Sequence, residues 1–560
     1  MQDYDLLMLE NLTYLEDSGV SSITFHSEGG YVPLENCNTI GEFLDQFGEN
    51  ELEQLDNAFV EIEEGDKCRL EPDTDKQEWA ARIRYMKENE DIRSLKSFNC
   101  KNGDNYCLKF EDPNDANHCI VAFQGTNGTD EWVDNIEGLN SSDTERQISA
   151  KNYIDGLEYD KVTVVGHSKG GNKAMYVAVT CDKVDKCVSY DGQGFSQEFI
   201  DKYSIEIQNN AHKITNYSLK NDYVHILMFP VPGATQIYME PGNRVNKPGG
   251  AHYPIGPFTV KEKDGKYYID TKNGVIKKSK TEEPEMTMLH NFTTFFMNNA
   301  SKQERDKVVV FLTGLMPLIF PGEGKSMDIN QIAEYLRTHR EGAIKIVAYL
   351  LKYIKDNGLG VDEFIQIACS IMGITDGQLM LFSILAKLFG IPVDSIKDII
   401  KFVIDQVTDG KEDLIIQFLI GKFGGDYASE ISSWWRGIEN EYNNIKVTAG
   451  SENYKVAIRN YSIDNYNRIM SVIANFENNS FPNVSAWSQY SGESWYTKLL
   501  IASVIKCING YKNKLSSINS ECRTRVNSTF NNIEKVDSRY GKKIDTIVSD
   551  ARTLRFQILN

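Results

Sequence analysis

Gly166-His167-Ser168-Lys169-Gly170 sets a serine between two glycines, directly after the apolar run Val162-Thr163-Val164-Val165 and just before a helix-competent stretch at 172–181. Strand, sharp turn and helix in that order lift a hydroxyl to a strand's C-terminal end. There it stands over a helix N-terminus whose backbone N–H groups can meet a developing oxyanion. The pentapeptide alone is a weak signal, since its three fixed positions recur by chance in roughly one chain in five of this length. The setting on both sides is what gives it weight. A serine hydroxyl at neutral pH is a poor nucleophile and needs a base, with an acid to orient that base.

Asp222, in Asn221-Asp222-Tyr223-Val224 after the predicted strand 213–219, is the expected acid; Asp191, at another strand end, is the alternative. A turn-capping aspartate would leave the same trace. His252 stands in Gly249-Gly250-Ala251-His252-Tyr253-Pro254, a loop able to carry a side chain over the serine, and is the expected base. His290 is the alternative, on a predicted helix where a packed histidine is the plainer interpretation. His225 is set aside as too close to Asp222 in an apolar strand, and His167 as pointing away at the elbow. The expected oxyanion donors are the Lys169 backbone N–H and the Gly125-Thr126 loop, with the Thr126 hydroxyl as helper.

These residues need a scaffold. Cys119-Ile120-Val121-Ala122-Phe123 runs into polar Gln124-Gly125-Thr126-Asn127, which predicts a buried parallel strand opening into a loop. With the strand at 162–165, the helix at 172–181 and strands at 187–190 and 213–219, the pattern is α/β with a parallel sheet. Segments 258–270 and 274–279, with a turn at Asp264-Gly265, predict an antiparallel extension of that sheet. Residues 1–117 are acidic; Leu6, Leu7, Leu9, Leu12 and Leu15 predict a short amphipathic helix, 40–59 and 78–88 two more, and the charge run a solvated face. Beyond residue 300 the strand signal stops, and helical patterns follow at 307–320, 330–356, 361–372, 377–389, 393–408 and 413–423. Apolar stripes at 505–522 and 526–558 predict helices packed side by side, within the chain or with a partner. The expected organisation is an α/β-hydrolase sheet domain (1–300), then all-helical middle (301–438) and C-terminal (439–560) domains.

A chain of 560 residues with 41% hydrophobic and 25% charged residues reads as globular with more than one domain. Its net charge of −20 argues against general nucleic-acid binding. Residues 440–560 hold 16 Lys+Arg against 10 Asp+Glu, so this end is +6 and the remainder −26. No Lys or Arg precedes Lys67 and no apolar h-region follows the start, so a Sec-type signal peptide is not expected. The ten cysteines form no Cys-x-x-Cys pair and no metal spacing with histidine, so neither metal nor cofactor is expected; a Cys181–Cys187 disulfide has nothing to recommend it over small buried thiols. The apolar runs at 308–320 and 379–393 fall short of the ~18–20 residues of a membrane span, leaving transient contact with a membrane surface at most.

Taken together, Ile120-Val121-Ala122-Phe123-Gln124-Gly125-Thr126, Glu131-Trp132-Val133-Asp134-Asn135, Gly166-His167-Ser168-Lys169-Gly170-Gly171-Asn172, Tyr190-Asp191-Gly192-Gln193-Gly194-Phe195 and Asn221-Asp222-Tyr223-Val224 stand in one order. That order resembles the class 3 (fungal-type) lipases and their bacterial lipase-like relatives, over residues 1–295. Gln124 stands where that family most often has arginine. The resemblance implies a triad and hydrolysis of lipid or other carboxylic esters. A lipase-like head followed by a long-helix module is also similar to the lipase effectors of type VII secretion systems. That second resemblance implies a reversed LXG-like C-terminal domain, small WXG100-like helical partners, an immunity protein, and secretion without a Sec signal, with cytoplasmic residence as the alternative. Only the looser Phe530-x-x-x-Glu534 replaces the Tyr-x-x-x-Asp/Glu export signature. The expected function is a serine carboxylester hydrolase of lipase or phospholipase A type, acting on glyceride or phospholipid acyl chains as an antibacterial or virulence effector. An acyltransferase using the same acyl-enzyme, or a catalytically silent scaffold for helical partners, is the alternative.

Overall fold

The apolar runs at 119–123 and 162–165 become the central strands of a sheet that is covered on both faces. The computed structural model describes residues 1–445, apart from 27–28, 65–66, 103–104, 127–128, 244–251, 253–254, 273, 320–326, 372–377, 390–391, 412–414 and 416–425. The C-terminal stripes, the expected domain at 439–560 beyond residue 445, and most of the helix expected at 413–423 thus lie outside the described residues.

Strands β1 (Phe59–Glu64) and β2 (Lys67–Pro72) form a separate antiparallel hairpin. Then come β3 (Lys96–Asn102), β4 (Asn105–Glu111), β5 (His118–Phe123), β6 (Lys161–His167), β7 (Val184–Tyr190), β8 (Ile214–Leu219), β9 (Thr235–Met239), β10 (Val260–Lys263), β11 (Lys266–Ile269) and β12 (Lys278–Ser279). The main sheet has eight strands in the order β12-β9-β8-β7-β6-β5-β4-β3. β5 to β9 run parallel, while β3, β4 and β12 join antiparallel at the two edges. The parallel register brings the ends of β5, β6, β7 and β8, and the loops after them, to one edge, where open α/β sheets place their ligands. This is the α/β sheet that the residue pattern predicts.

Three expectations need correction. The segment 260–269 does not extend the main sheet; β10 and β11 pair only with each other, and β12 alone adds to the edge through β9. The Arg84 guanidinium and the Asp56 carboxylate hold the hairpin through the Tyr267 backbone at 2.8 and 3.1 Å. The N-terminal helix Asp3–Asn11 is not amphipathic but buried from Asp5 to Asn11, under the helix Thr74–Lys87 and against the sheet. Part of the acidic run is therefore internal: Asp5 accepts from the Tyr85 hydroxyl and the Asn89 amide, both at 2.8 Å. Finally, the pattern at 330–356 is two helices, Ile329–Thr338 and Arg340–Asn357, broken at His339. Cys181 and Cys187 are free thiols.

One sheet face carries the N-terminal helices, with Leu6, Leu9, Phe43 and Trp79 packed with Ile120, Val165 and Val188. The other carries Glu145–Asp155 and Lys169–Thr180, with Val177 and Phe199 packed with Val121 and Val164. The helices from Pro284 to Asn444 bury their apolar faces in a third core, which also takes in Ile136, Ile226 and Met228 from the α/β part. All of this lies in one compact unit, Met1–Tyr454, and position 438 falls within the helix Asp426–Asn444. No helix among the described residues is long and apolar enough to cross a membrane.

Arg305 ties the helical layer to the sheet part. Its guanidinium donates to Asn140 Oδ1 at 2.8 Å and to the Ala300 carbonyl at 2.9 Å, and it pairs with Glu198. Arg305→Ala strands these acceptors, and the expected loss is on the order of 3 kcal/mol. Urea unfolding followed by circular dichroism checks this; an unchanged midpoint contradicts it.

Candidate active site

The elbow is built by close backbone approach. A Cβ at Gly170 would overlap the Phe123 carbonyl oxygen, and one at Gly166 would overlap the backbone of Gly170. With nothing in the way, β6 reverses into the helix Lys169–Thr180 through Ser168, which takes φ 57° and ψ −124°. Such a left-handed φ is strained for a residue with a side chain and persists only where the surroundings enforce it. Here the Ser168 N–H donates to the Tyr190 carbonyl at 2.8 Å, locking the turn to β7.

His252 reaches this serine. Its Nε2 lies 2.7 Å from Ser168 Oγ, and its Nδ1 lies 2.6 Å from Asp222 Oδ1. Asp222 is fully buried, and its other oxygen, Oδ2, accepts the backbone N–H groups of Val224 and His225, both at 2.9 Å. Burial pushes the Asp222 carboxyl up, but the charges and hydrogen bonds of His252 and His225 outweigh it and hold the group well below the usual carboxylate range. Burial lowers the His252 pKa; the Asp222 carboxylate overcomes this and leaves it raised. His252 is thus oriented, with an acceptor for each N–H it carries as imidazolium.

The structure brings Ser168, Asp222 and His252 together and leaves the alternatives elsewhere. Asp191 turns with φ 48° and accepts the Leu219 N–H at 2.7 Å. Burial, then the neighbouring Asp222 charge, raises its pKa to about 8, so at neutral pH it is a protonated acid. His290 lies on the helix Pro284–Asn299, near Glu282 and His225 rather than the serine. His167 does not point away: its buried ring lies 4.8 Å from that of His252, which it backs. Its pKa falls well below the ordinary histidine value through burial and the charge of His252.

The expected oxyanion donors differ in their surroundings. Lys169 supplies the first backbone N–H of a twelve-residue helix, directly after the serine. Its ammonium, given no part by the sequence pattern, forms a buried ion pair with Asp134 at 2.5 Å, clamping the elbow to the helix Thr129–Glu137. Thr126 Oγ1 accepts from the Asn135 amide at 3.0 Å, which leaves its own proton for a substrate oxygen. Gly125 is a correction. Its N–H donates to the Tyr14 hydroxyl at 2.8 Å, and a Cβ there would meet that oxygen at 2.5 Å, so Gly125 provides close approach rather than a donor. Gln124, standing where arginine is commonest in class 3 lipases, donates to the Thr13 carbonyl at 2.8 Å and ties the loop to the N-terminal segment.

The pattern of residues missed Tyr14 and Glu282, gave Asp134 and Asn135 no role beyond their place in a motif, and set His225 aside. For His225 a signal existed: Asp222 and His225 are three apart after a strand, the spacing at which an Asp side chain caps its own turn. Asp191, Asp222 and His225 offer ligand atoms within 4.8 Å of one another. The oxygens of Asp222 are engaged by two histidines and two backbone N–H groups, so the cluster is knit by hydrogen bonds.

A family model described as Mbeg1-like matches residues 103–229, which span the oxyanion loop, the elbow and the strand before Asp222. Among curated proteins none matches the chain. Among solved structures, a crystal structure of M37 lipase aligns at 13% identity and a TM-score of 0.20, over 28% of this chain and 64% of that one. The chain thus spans less than two thirds of that relative's length. The fold is α/β with a lipase-like elbow.

A neutral Asp191 has a measurable consequence. Its folded pKa of about 8 lies above the unfolded value of about 4, so its contribution to stability is full below about pH 4 and is lost as pH rises to about 8. Asp191→Asn, which also tolerates positive φ, removes that loss. The variant is expected to keep most activity at pH 7 and to melt at or above the wild-type temperature there. A collapse of activity equal to that of Asp222→Asn contradicts the assignment.

Proposed function

We propose that the chain is a serine hydrolase of carboxylic esters, of lipase type. The observation that carries this is the continuous line from Asp222 through His252 to Ser168, at 2.6 and 2.7 Å, on an elbow whose nucleophile is held in a strained turn. In the reaction, Ser168 Oγ attacks the ester carbonyl carbon while His252 Nε2 takes its proton, and Asp222 stabilises the imidazolium. The carbonyl oxygen becomes an oxyanion, facing the Lys169 N–H, the backbone of Thr126 and its hydroxyl. His252 then returns the proton to the leaving alcohol. Water, activated by the same histidine, splits the acyl-enzyme. A silent scaffold has no need of a buried carboxylate, an oriented imidazole and a strained serine in one line, so catalysis is preferred.

The finer reading is of glyceride or phospholipid acyl esters as substrate, in an effector exported by a type VII-like route with WXG100-like helical partners on residues 439–560. It rests on the motif resemblances alone. Because Trp434, Trp435 and Ile445 belong to the helical core, the truncation that tests this leaves Met1–Tyr454 rather than ending near residue 435. That fragment is expected to hydrolyse p-nitrophenyl acyl esters as the full chain does, yet to lose co-purification with helical partners encoded beside it. Retained partner binding removes the docking role.

Ser168→Ala is expected to abolish ester hydrolysis and labelling by a fluorophosphonate, with the circular dichroism spectrum unchanged. Asp222→Asn and His252→Ala should each lower kcat by roughly 10³–10⁴-fold, since a triad acts as a unit. His290→Ala should cost far less. Hydrolysis surviving in Ser168→Ala overturns the proposal.

A further inference from the structure

We infer that His225, clamped between Asp222 and Glu282, extends the triad by two residues and positions the Asp222 carboxylate against His252. The inference rests on the ester-hydrolase reading of Ser168. His225 Nδ1 lies 3.2 Å from Asp222 Oδ2, and its Nε2 lies 3.2 Å from Glu282 Oε2. Each oxygen of Asp222 therefore meets one imidazole, His252 on Oδ1 and His225 on Oδ2. The His225 side chain is only 5% exposed and that of Glu282 14%, so solvent does not substitute for either contact. Glu282 is itself steadied by the Thr287 hydroxyl, which donates to its Oε1 at 3.1 Å.

The protonation of His225 follows from this geometry. A carboxylate only accepts hydrogen bonds, and a neutral imidazole carries a single N–H. Two carboxylates on the two ring nitrogens are both satisfied only by the imidazolium. The electrostatics agree: burial lowers the His225 pKa, but the hydrogen bonds to Asp222 and Glu282 outweigh it and raise it to about 9. Glu282 moves the other way, lowered by His225 against the effect of its burial. The titratable groups around His225 are Asp222, Asp191 beyond it from the end of β7, His252, Glu282, His290 from the helix Pro284–Asn299, and Tyr238 of β9, whose ring lies edge-on at 6.1 Å. Two carboxylates face this imidazolium directly, so its charge is balanced in place.

Two consequences reach the serine. A doubly held Asp222 cannot rotate away from His252 Nδ1, so the Nε2 lone pair stays aimed at Ser168 Oγ. The positive charge on the far side of Asp222 also opposes protonation of His252, which that carboxylate alone would hold more strongly. His225 touches no reacting atom; it acts through Asp222 and is a positioning residue.

The test is the pH dependence of kcat and kcat/KM on p-nitrophenyl esters, in the full-length wild type, His225→Gln and Glu282→Gln. In His225→Gln, kcat is expected to fall roughly 10–100-fold with KM nearly unchanged. The acid limb of kcat/KM should move up by about one pH unit, because His252 then binds its proton more tightly. In Glu282→Gln the loss of one carboxylate lowers the His225 pKa, so the alkaline fall in kcat, set near pH 9 in the wild type by release of the His225 proton, should begin at lower pH. Variants that lose activity evenly at all pH values, with both limbs in place, would give His225 a structural role only and overturn the inference. So would wild-type behaviour in both. If neither variant folds, titration of ¹⁵N-histidine-labelled wild type decides: one histidine protonated at both nitrogens and titrating near pH 9 supports the inference, and its absence overturns it. An inactive wild type fails the hydrolase reading instead, and the histidine titration still reports on the clamp.

Discussion

A carboxylate with no solvent contact is the constraint on which this site depends. Burying an ionised Asp222 would cost far more than folding could bear unless it were paired and hydrogen-bonded. Two backbone N–H groups and His225 meet Oδ2 and His252 meets Oδ1, and those four contacts dictate what surrounds the residue. The loop after β8 must turn back on itself to offer the Val224 and His225 amides. His252 must stand at Asp222 Oδ1, and Glu282 must stand behind His225. Asp191, a few ångströms away, is pushed up by its own burial first and by the Asp222 charge second, while hydrogen bonds to Asp222 and Glu282 pull His225 up against its burial.

A second layer holds the nucleophile side. The loop after β5 is fixed from the N-terminus, by Tyr14 on the Gly125 N–H and Gln124 on the Thr13 carbonyl. The first fifteen residues are therefore part of the site's support rather than an acidic fringe. Glu10 lies wholly buried there, its carboxyl pushed well up by burial despite an N–H bond from the His167 backbone. On the other side the Lys169–Asp134 pair and the Asn135–Thr126 bond run from the elbow and the oxyanion loop to one helix, Thr129–Glu137. Lys169 and Thr126, the proposed oxyanion donors, are thereby referenced to the same element, the condition under which preorganised dipoles act without rearrangement. The strain at Ser168 is sustained by this framework, since a single turn of chain could not hold it.

Much of this was legible in consecutive residues. Glycines flanking a serine between a strand and a helix, an aspartate just past a strand end, and a histidine in a glycine-rich loop are signals carried by neighbours in the chain, and they pointed to Ser168, Asp222 and His252, which lie together in the fold. The parallel strands β5 to β8 announced themselves because both faces are buried and the apolar runs are continuous. The edge strand β3 and its neighbour β4 did not. On β3, Lys96 and Asn99 are polar residues of the kind that edges favour, and they hide the alternation.

By itself, then, the sequence pointed to Ser168, with Asp222 ahead of Asp191 and His252 ahead of His290, and to the α/β sheet that presents them, because strand ends, turns and glycine-flanked positions are written in neighbouring residues. Only the tertiary structure decided which groups hold them. Tyr14 meets Gly125 across 111 residues, and Glu282 meets His225 across 57. It also turned His167 and His225, both set aside in the residue pattern, toward the site, and withdrew Gly125 as a donor. Hydrogen bonds and ion pairs between distant segments impose no period and no spacing on the chain; they exist only once the sheet and its helices have brought those side chains within about 3 Å of each other.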